Sequence, residues 1–262
     1  MSKSLTDVMF SSEKRKNVLL LLQNGPREME FILMSLDTTR AALLPQIRIL
    51  ENHHLITGAN DKYELTNIGK LIVNEMVPLL GITDVFEGNL DFLGTHDLDF
   101  IPPHLLKRIG ELAPYTLAES VPVTEISEPN KPVLQKAKIS NYQTSVTAFL
   151  FPTFPSVLAD FKENGVKLCM VVSSELLSKI REEADDDFRS LLNSSLNKLY
   201  LYPGEMRFMS FGYNEYSFMI RFLDKNGDYD HNYLVSSSPL ALKWGKELFD
   251  HYLKNAVPID KI

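Results

Sequence analysis

Six of the chain's 14 prolines fall between Pro102 and Pro132. Proline fixes φ and has no amide hydrogen, so a run this dense suits neither a long helix nor a central strand. The stretch reads as a connector with short helices, and it divides the 262 residues into two differently patterned parts. Before it, apolar residues recur mostly at helical spacing. After it, short apolar runs alternate with helical segments. Domains of roughly 100–200 residues are the norm, so two folded parts fit the length. The expected class is α+β, with domain 1–84, connector 85–120 and a mixed α/β domain 121–262.

The first part reads as three helices, a hairpin and a fourth helix. Ser11 or Ser12 can cap "EKRKNVLLLLQNG", with Gly25 beyond its end. "PREMEFILMSL" reads as a short second helix, and "TTRAALLPQIRILENHH" as a third, capped by Thr38 or Thr39. "LITGANDKYEL" reads as two strands around a Gly-Asn-Asp turn, and Thr66 can cap "NIGKLIVNEMVPLL". That order is the order of a winged helix-turn-helix.

The third helix contains Pro45. A proline deep inside a helix costs about 3 kcal/mol. A helix starting near Thr39 lessens that cost, because the first four amides have no internal partner. Pro45 then deletes one bond, to the Ala41 carbonyl, and Leu43, Ile47 and Leu50 keep a continuous apolar face, so one helix bent at Pro45 is expected. The alternative is a late start with Pro45 at the first helical position, which would leave Arg40 in the turn.

In this arrangement the third helix enters the major groove of double-stranded DNA by its N-terminal end. Thr38, Thr39 and Arg40 then meet the groove, Gln46 lies two turns along, and Arg48 suits a phosphate. In the wing, Lys62 and Asn60 can reach the backbone or minor groove. The net charge of −7 leaves little room for a broad nucleic-acid surface. Residues 1–84 carry nine Lys/Arg against ten Asp/Glu, so the patch must be local, gathered from Lys14, Arg15, Lys16, Arg40, Arg48, Lys62 and Lys70. The competing reading is a winged helix that binds a protein partner without touching DNA.

In the second part the expected strands are "SVTAFLF", "VKLCMVV", "KLYLY", "MRFMSFG", "YSFMIRFL" and "NYLVSS", with a last helix from Pro239 to Asn255. Phe151, Phe154, Tyr200, Tyr202, Phe208 and Phe211 fall at strand ends; the first four are the candidates for a ligand pocket. Leu240, Trp244, Leu248 and Tyr252 recur every four residues, a stripe for the core or for a second subunit. The connector is also apolar enough for subunit contact.

Enzymatic and metal chemistry are not expected. Phospholipase D chemistry pairs a His nucleophile with a Lys two residues on, and no His here, His231 included, has one. "DKNGDYD" puts oxygens at positions 1, 3 and 5 of a calcium loop, but Tyr229 and Val235 stand where Gly and Glu are needed. It reads instead as a turn with Asn226 and Gly227 at positive φ. His53 and His54 point in different directions on a helix, and one cysteine, Cys169, cannot build a thiolate cluster or an internal disulfide. Ser236–Ser238 before Pro239 read as a helix cap. No apolar stretch reaches the roughly 18 residues of a membrane span, and no signal-peptide pattern opens the chain, so a cytoplasmic protein is expected.

Particular wording goes further than spacing. "SSEKR", "LENHHLI" and "YELTNIGKLI", with "GVKLCMVVSSELL" and "DYDHNYLVSSSPLALKWGKELFDHYLKNA", resemble the archaeal methanogenesis-regulatory and filamentation-regulatory protein family over essentially the whole chain. The resemblance implies a transcription regulator of methanogenesis genes. It also implies a non-catalytic C-terminal domain similar to the phospholipase-D-like regulatory domains of sugar-responsive archaeal regulators. DNA-binding dimers read two half-sites, so a homodimer is expected; the second part is expected to sense a small-molecule effector or to mediate assembly, and no cofactor is expected.

Overall fold

The structure is a computed structural model that describes residues 4–118 and 131–262. The expected boundary at residues 120/121, with Pro122 and Pro129, lies outside the described residues. The chain forms two compact units, Met1–Leu80 and Gly81–Ile262.

The first unit opens with α1 (Leu5–Phe10) and α2 (Glu13–Leu22). Of the two cap candidates, Ser12 caps α2, accepting from the Arg15 amide. A two-residue strand, β1 (Arg27–Glu28), precedes α3 (Met29–Ser35), so the second helix begins later than its sequence pattern indicated. α4 (Arg40–Asn52) follows, then β2 (Ile56–Ala59), β3 (Lys62–Leu65) and α5 (Asn67–Glu87). The strands form a sheet in the order β1-β3-β2, and Asn60 and Asp61 both take positive φ at the wing turn. That is the backbone a two-residue hairpin turn requires.

Both ends of the helix-turn-helix close without glycine. After α3, Asp37 sits at φ 43°, and the Thr38 and Asp37 amides donate to the Leu33 and Met34 carbonyls. After α4, His54 sits at φ 55°, and the Leu55 and His54 amides donate to Leu50 and Glu51. Each is a Schellman closure, in which a left-handed residue satisfies two otherwise unpaired carbonyls. Leu43, Ile47 and Leu50 are all fully buried, with Val18, Leu19, Met29 and Ile32 from α2 and α3. Burying each such side chain is worth about 1.5–3 kcal/mol, enough to hold α4 against its proline.

The second unit is built on an eight-stranded sheet. Its elements are α6 (Leu90–Thr95), α7 (Pro103–Leu106), the 3-10 turn Ile109–Leu112, β4 (Thr116–Ala118), α8 (Lys131–Lys138), β5 (Tyr142–Thr147), α9 (Phe154–Glu163), β6 (Lys167–Val172), α10 (Ser174–Glu183), α11 (Asp186–Leu192), β7 (Asn197–Leu201), β8 (Phe208–Tyr213), β9 (Phe218–Leu223), β10 (Tyr229–Ser236), α12 (Pro239–Lys254) and β11 (Val257–Ile259). The strand order is β11-β7-β6-β5-β8-β9-β10-β4; β5-β6 and β6-β7 are parallel and every other pair antiparallel. The first strand lies earlier than expected, and "FLF" leaves the sheet. At the "DKNGDYD" turn only Gly227 has positive φ, and Asp224 accepts from the Asn226 and Asp228 amides.

Apolar cores cover both faces of this sheet. On one, Val146, Val171, Phe211, Phe218, Ile220 and Phe222 pack against α12 and the connector. On the other, Leu168, Met170 and Val172 pack against α9 and α10. Trp244 is fully buried and donates its indole N–H to the Leu105 carbonyl at 2.9 Å. Leu248 and Tyr252 are buried with it, as are Leu93, Phe100, Ile101, Leu105, Ile109 and Leu112 of the connector. Of the stripe, Leu240 alone is exposed. Both surfaces considered for subunit contact are therefore largely spent on the unit's own core.

Candidate nucleic-acid interface

α4 begins at Arg40, with Thr39 as its cap, so the early start holds and Pro45 is the sixth helical residue. The Thr39 hydroxyl accepts from the Ala42 amide at 3.4 Å. Thr38 lies in the turn and is half-buried; Arg40 and Arg48 are exposed on the helix, and Lys62 is exposed in the wing. Opposite the buried Leu43/Ile47/Leu50 face, Ala41, Pro45, Arg48 and Asn52 follow at i, i+4, i+7 and i+11, all exposed. That outward face is the one a groove can meet. Its small residues allow close approach, arginine and asparagine match guanine and adenine edges, and alanine suits a thymine methyl. Asn52, Ala41 and Ala42 were not among the sequence candidates, although the wheel that places Leu43 inside places them outside.

Gln46 stands apart from this face. It is half-buried on the α2 side, and its Oε1 accepts from Arg15 Nη1 at 2.7 Å and Ser12 Oγ at 3.5 Å. Arg15 is 5% exposed and also donates to the Val8 and Asp7 carbonyls. One member of the expected basic patch is thus an internal strut.

Arg40 is exposed but held. Its guanidinium pairs with Asp61 at the wing turn and lies 3.7 Å from Glu30 at the start of α3. The hydrogen bond to Asp61 pushes its pKa further above the ordinary arginine value. Two carboxylates therefore offset the cation that leads α4, while Arg48 and Lys62 make no ion pair among the described residues. Lys16 pairs with Glu13 at 2.7 Å.

The four aromatic pocket candidates do not share a site. Phe151 and Phe154 line a cavity of about 120 Å³ on the α9 face of the sheet. Tyr200 and Tyr202 pack on the opposite face with the α12 core, Tyr202 against Tyr252 at 5.0 Å between centroids. Phe208 and Phe211 are buried in that same core. Cys169 is half-buried, and burial pushes its thiol pKa up. Among the described residues no cluster of three or more His, Cys, Asp or Glu is placed to hold a metal ion, and no helix is long and apolar enough to cross a membrane.

The architecture is that of a two-part protein, a winged helix-turn-helix unit followed by a mixed α/β unit. The N-terminal domain model of methanogenesis regulatory protein FilR1 matches residues 3–84, and the middle-domain model of the same protein matches residues 126–255. The chain belongs to the FilR1 methanogenesis regulatory protein family. The mixed α/β domain, expected as a C-terminal regulatory domain, matches that family's middle domain. A curated relative, methanogenesis regulatory protein FilR1 of Methanothrix harundinacea (strain 6Ac), is 24% identical over 97% of this chain. The chain spans 58% of that relative's length.

Among solved structures, TrmBL2, described as an archaeal chromatin protein with a novel mode of DNA binding, aligns at 12% identity and a TM-score of 0.43. That alignment covers 95% of this chain and 94% of the other. The methyltransferase CalO1 of calicheamicin biosynthesis aligns at 12% identity and a TM-score of 0.22, over 74% of this chain and 62% of the other.

Proposed function

We propose that the chain is a cytoplasmic DNA-binding transcription regulator of methanogenesis-related genes, acting without catalysis. In this reading residues 1–84 form the DNA-reading domain, 85–120 the connector and 121–262 the effector-sensing domain. The outward face of α4 carries the reading: Ala41, Pro45, Arg48 and Asn52 stand clear of the core, flanked by Arg40 and Lys62. Thr39 and the open first turn of α4 supply amides suited to a phosphate. The name of the Methanothrix relative supports the process regulated.

Helix-turn-helix proteins commonly read two half-sites, which supports a homodimer. An effector bound by the second unit would act only through unequal affinity for two states of the protein. With Arg40 held by Asp61 and Glu30, Arg48 and Lys62 leave about two phosphate contacts per protomer, hence a salt slope near −2 per protomer at roughly −0.9 per phosphate.

The test is capture of fragmented genomic DNA from a methanogenic host by the purified protein, beside Arg48→Ala and Arg40→Ala. Enrichment of a few promoters, lost in Arg48→Ala, is the expected result. Uniform capture of all fragments, or none, tells against sequence reading. Sedimentation of the same protein decides whether two copies associate.

A further inference from the structure

β9 reads "FMIRFL", and its one charged residue, Arg221, is 3% exposed. Phe218, Ile220 and Phe222 point into the α12 core, so Arg221 lies on the opposite face of the sheet. No carboxylate pairs with it among the described residues. Its Nη1 donates to Met219 Sδ at 3.3 Å, a weak acceptor, and Tyr229 supplies a side-chain hydrogen bond. Its Nε–H is buried with no hydrogen-bond partner among the described residues. The guanidinium carbon lies over the rings of Tyr233 and Phe151, 4.5 and 5.0 Å from their centroids. Aromatic faces take the flat side of a guanidinium and leave its in-plane N–H edge for an acceptor.

Arg221 lines the 120 Å³ cavity. The cross-strand register sets Thr147 beside Ser210 and Ser210 beside Arg221, with Ser145 beside Gly212 in the neighbouring row. Thr147 is occupied by the backbone of Phe149, and Gln143 by Thr144 and Asn214. The Ser145 and Ser210 hydroxyls line the same wall without a partner among the described residues. Phe149, Leu150 and Phe151 also border a larger cavity of about 560 Å³, walled by Pro155, Leu176, Ile180 and Phe188, with Glu175, Lys179 and Glu183 also in its lining. The features are therefore one buried cation, two open hydroxyls and an adjoining space whose near wall, Phe149, Leu150 and Phe151, is apolar.

We propose that this site binds a small organic monocarboxylate, its carboxylate on the Arg221 edge and the Ser145 and Ser210 hydroxyls, its apolar body toward the larger cavity. One planar cation matches one planar monoanion, since a guanidinium donates two parallel bonds to a carboxylate. A phosphate dianion would need a second cation in the small cavity, and none lines it among the described residues. Burial also lowers the pKa of Arg221, yet arginine stays charged in proteins, so the cation is present for a ligand to meet. The proposal rests on the sensing role given above to the second unit.

The experiment follows the arginine Nε–H resonances of the ¹⁵N-labelled full chain on addition of sodium acetate, butyrate or benzoate. Sodium phosphate and sodium chloride at matched ionic strength are the controls, and thermal unfolding is recorded in parallel. Expected are a saturable shift of one Nε–H signal, absent from Arg221→Met, and a rise in Tm with carboxylates that the variant loses. Butyrate and benzoate should act at lower concentration than acetate. Should Arg221→Met not fold, Ser210→Val, which crowds the wall, must weaken the carboxylate response at least tenfold. An unmoved signal at millimolar carboxylate, or a response to phosphate instead, overturns the proposal. DNA capture without added carboxylate, by the native chain and by Arg221→Met, keeps the two readings separate: failure of the native chain there counts against the regulator, not against this site.

Discussion

Gln46→Ala tests whether α4 uses this side chain for DNA or for its own support. The substitution removes the acceptor 2.7 Å from Arg15 Nη1 and leaves the Val8 and Asp7 carbonyls as the remaining partners of Arg15. Losing a hydrogen bond to a charged group costs about 1.5–3 kcal/mol. Gln46 is half-buried, so water can reach part of the gap, and the lower half of that range applies, about 2 kcal/mol. For a unit the size of Met1–Leu80, a loss of 1 kcal/mol lowers Tm by roughly 4–8 °C, so about 8–16 °C is expected. Calorimetry of the full chain should show the fall in one of two transitions. A double-mutant cycle with Arg15→Met should return a coupling above about 1 kcal/mol. The base preference of bound DNA should not change, because the glutamine–adenine pair needs the Oε1 that Arg15 holds. A stability loss under about 0.5 kcal/mol together with a changed base preference would refute this reasoning.

Pro45→Ala restores the amide that can donate to the Ala41 carbonyl and should stabilise the chain by about 1–2 kcal/mol, less than the full cost of an interior proline because the residue is exposed and lies early in α4; chemical denaturation checks it, and a change in DNA affinity would show that the proline also sets docking. Asp37→Gly should stabilise by about 0.5–1 kcal/mol, since φ 43° suits glycine better than aspartate, measured the same way. Asp61→Asn frees Arg40 from its wing partner and should tighten DNA binding severalfold and steepen the salt dependence, read by fluorescence anisotropy. Glu247 accepts from Arg108 at 2.6 Å, which holds its pKa below the ordinary 4.5; the pair's contribution is complete above pH 4.5 and lost as pH falls through the lowered value. Acid unfolding of Arg108→Met should accordingly lack that part of the pH dependence, a small one because both side chains are about a third exposed.

Much of this fold was legible because its signals are local. A 3.6-residue period placed Leu43, Ile47 and Leu50 inside, and the hydroxyls of Ser12, Thr39 and Thr66 marked helix starts that the structure keeps. What escaped depends on distant partners. β1 is two residues long and exists by pairing with β3, Arg27 opposite Tyr63 and Glu28 opposite Lys62. The pocket aromatics were grouped by their places at strand ends, but alternation along β6 and β7 assigns neighbours to opposite faces, and Tyr200 follows Val171 rather than Phe151.

The two buried arginines show where a stricter reading would have gained most. In "EKRKNVLLLL" the three cations look like a solvated run, yet Arg15 precedes Val18, Leu19 and Leu22 by three, four and seven residues, on the apolar stripe itself. In "FMIRFL" there is no alternation at all, the mark of a strand covered on both faces, and the one charge in it has no polar side to turn to. A cation inside an apolar pattern must find acceptors or be left expensively unpaired. Arg15 meets that requirement within the chain, through Gln46 and the carbonyls of α1. Among the described residues Arg221 does not: a thioether, a phenol and two aromatic rings leave its Nε–H without an acceptor beside the 120 Å³ cavity. The same rule that makes Arg15 part of the scaffold therefore leaves Arg221 short of an acceptor among the described residues, the place that the proposed carboxylate would take.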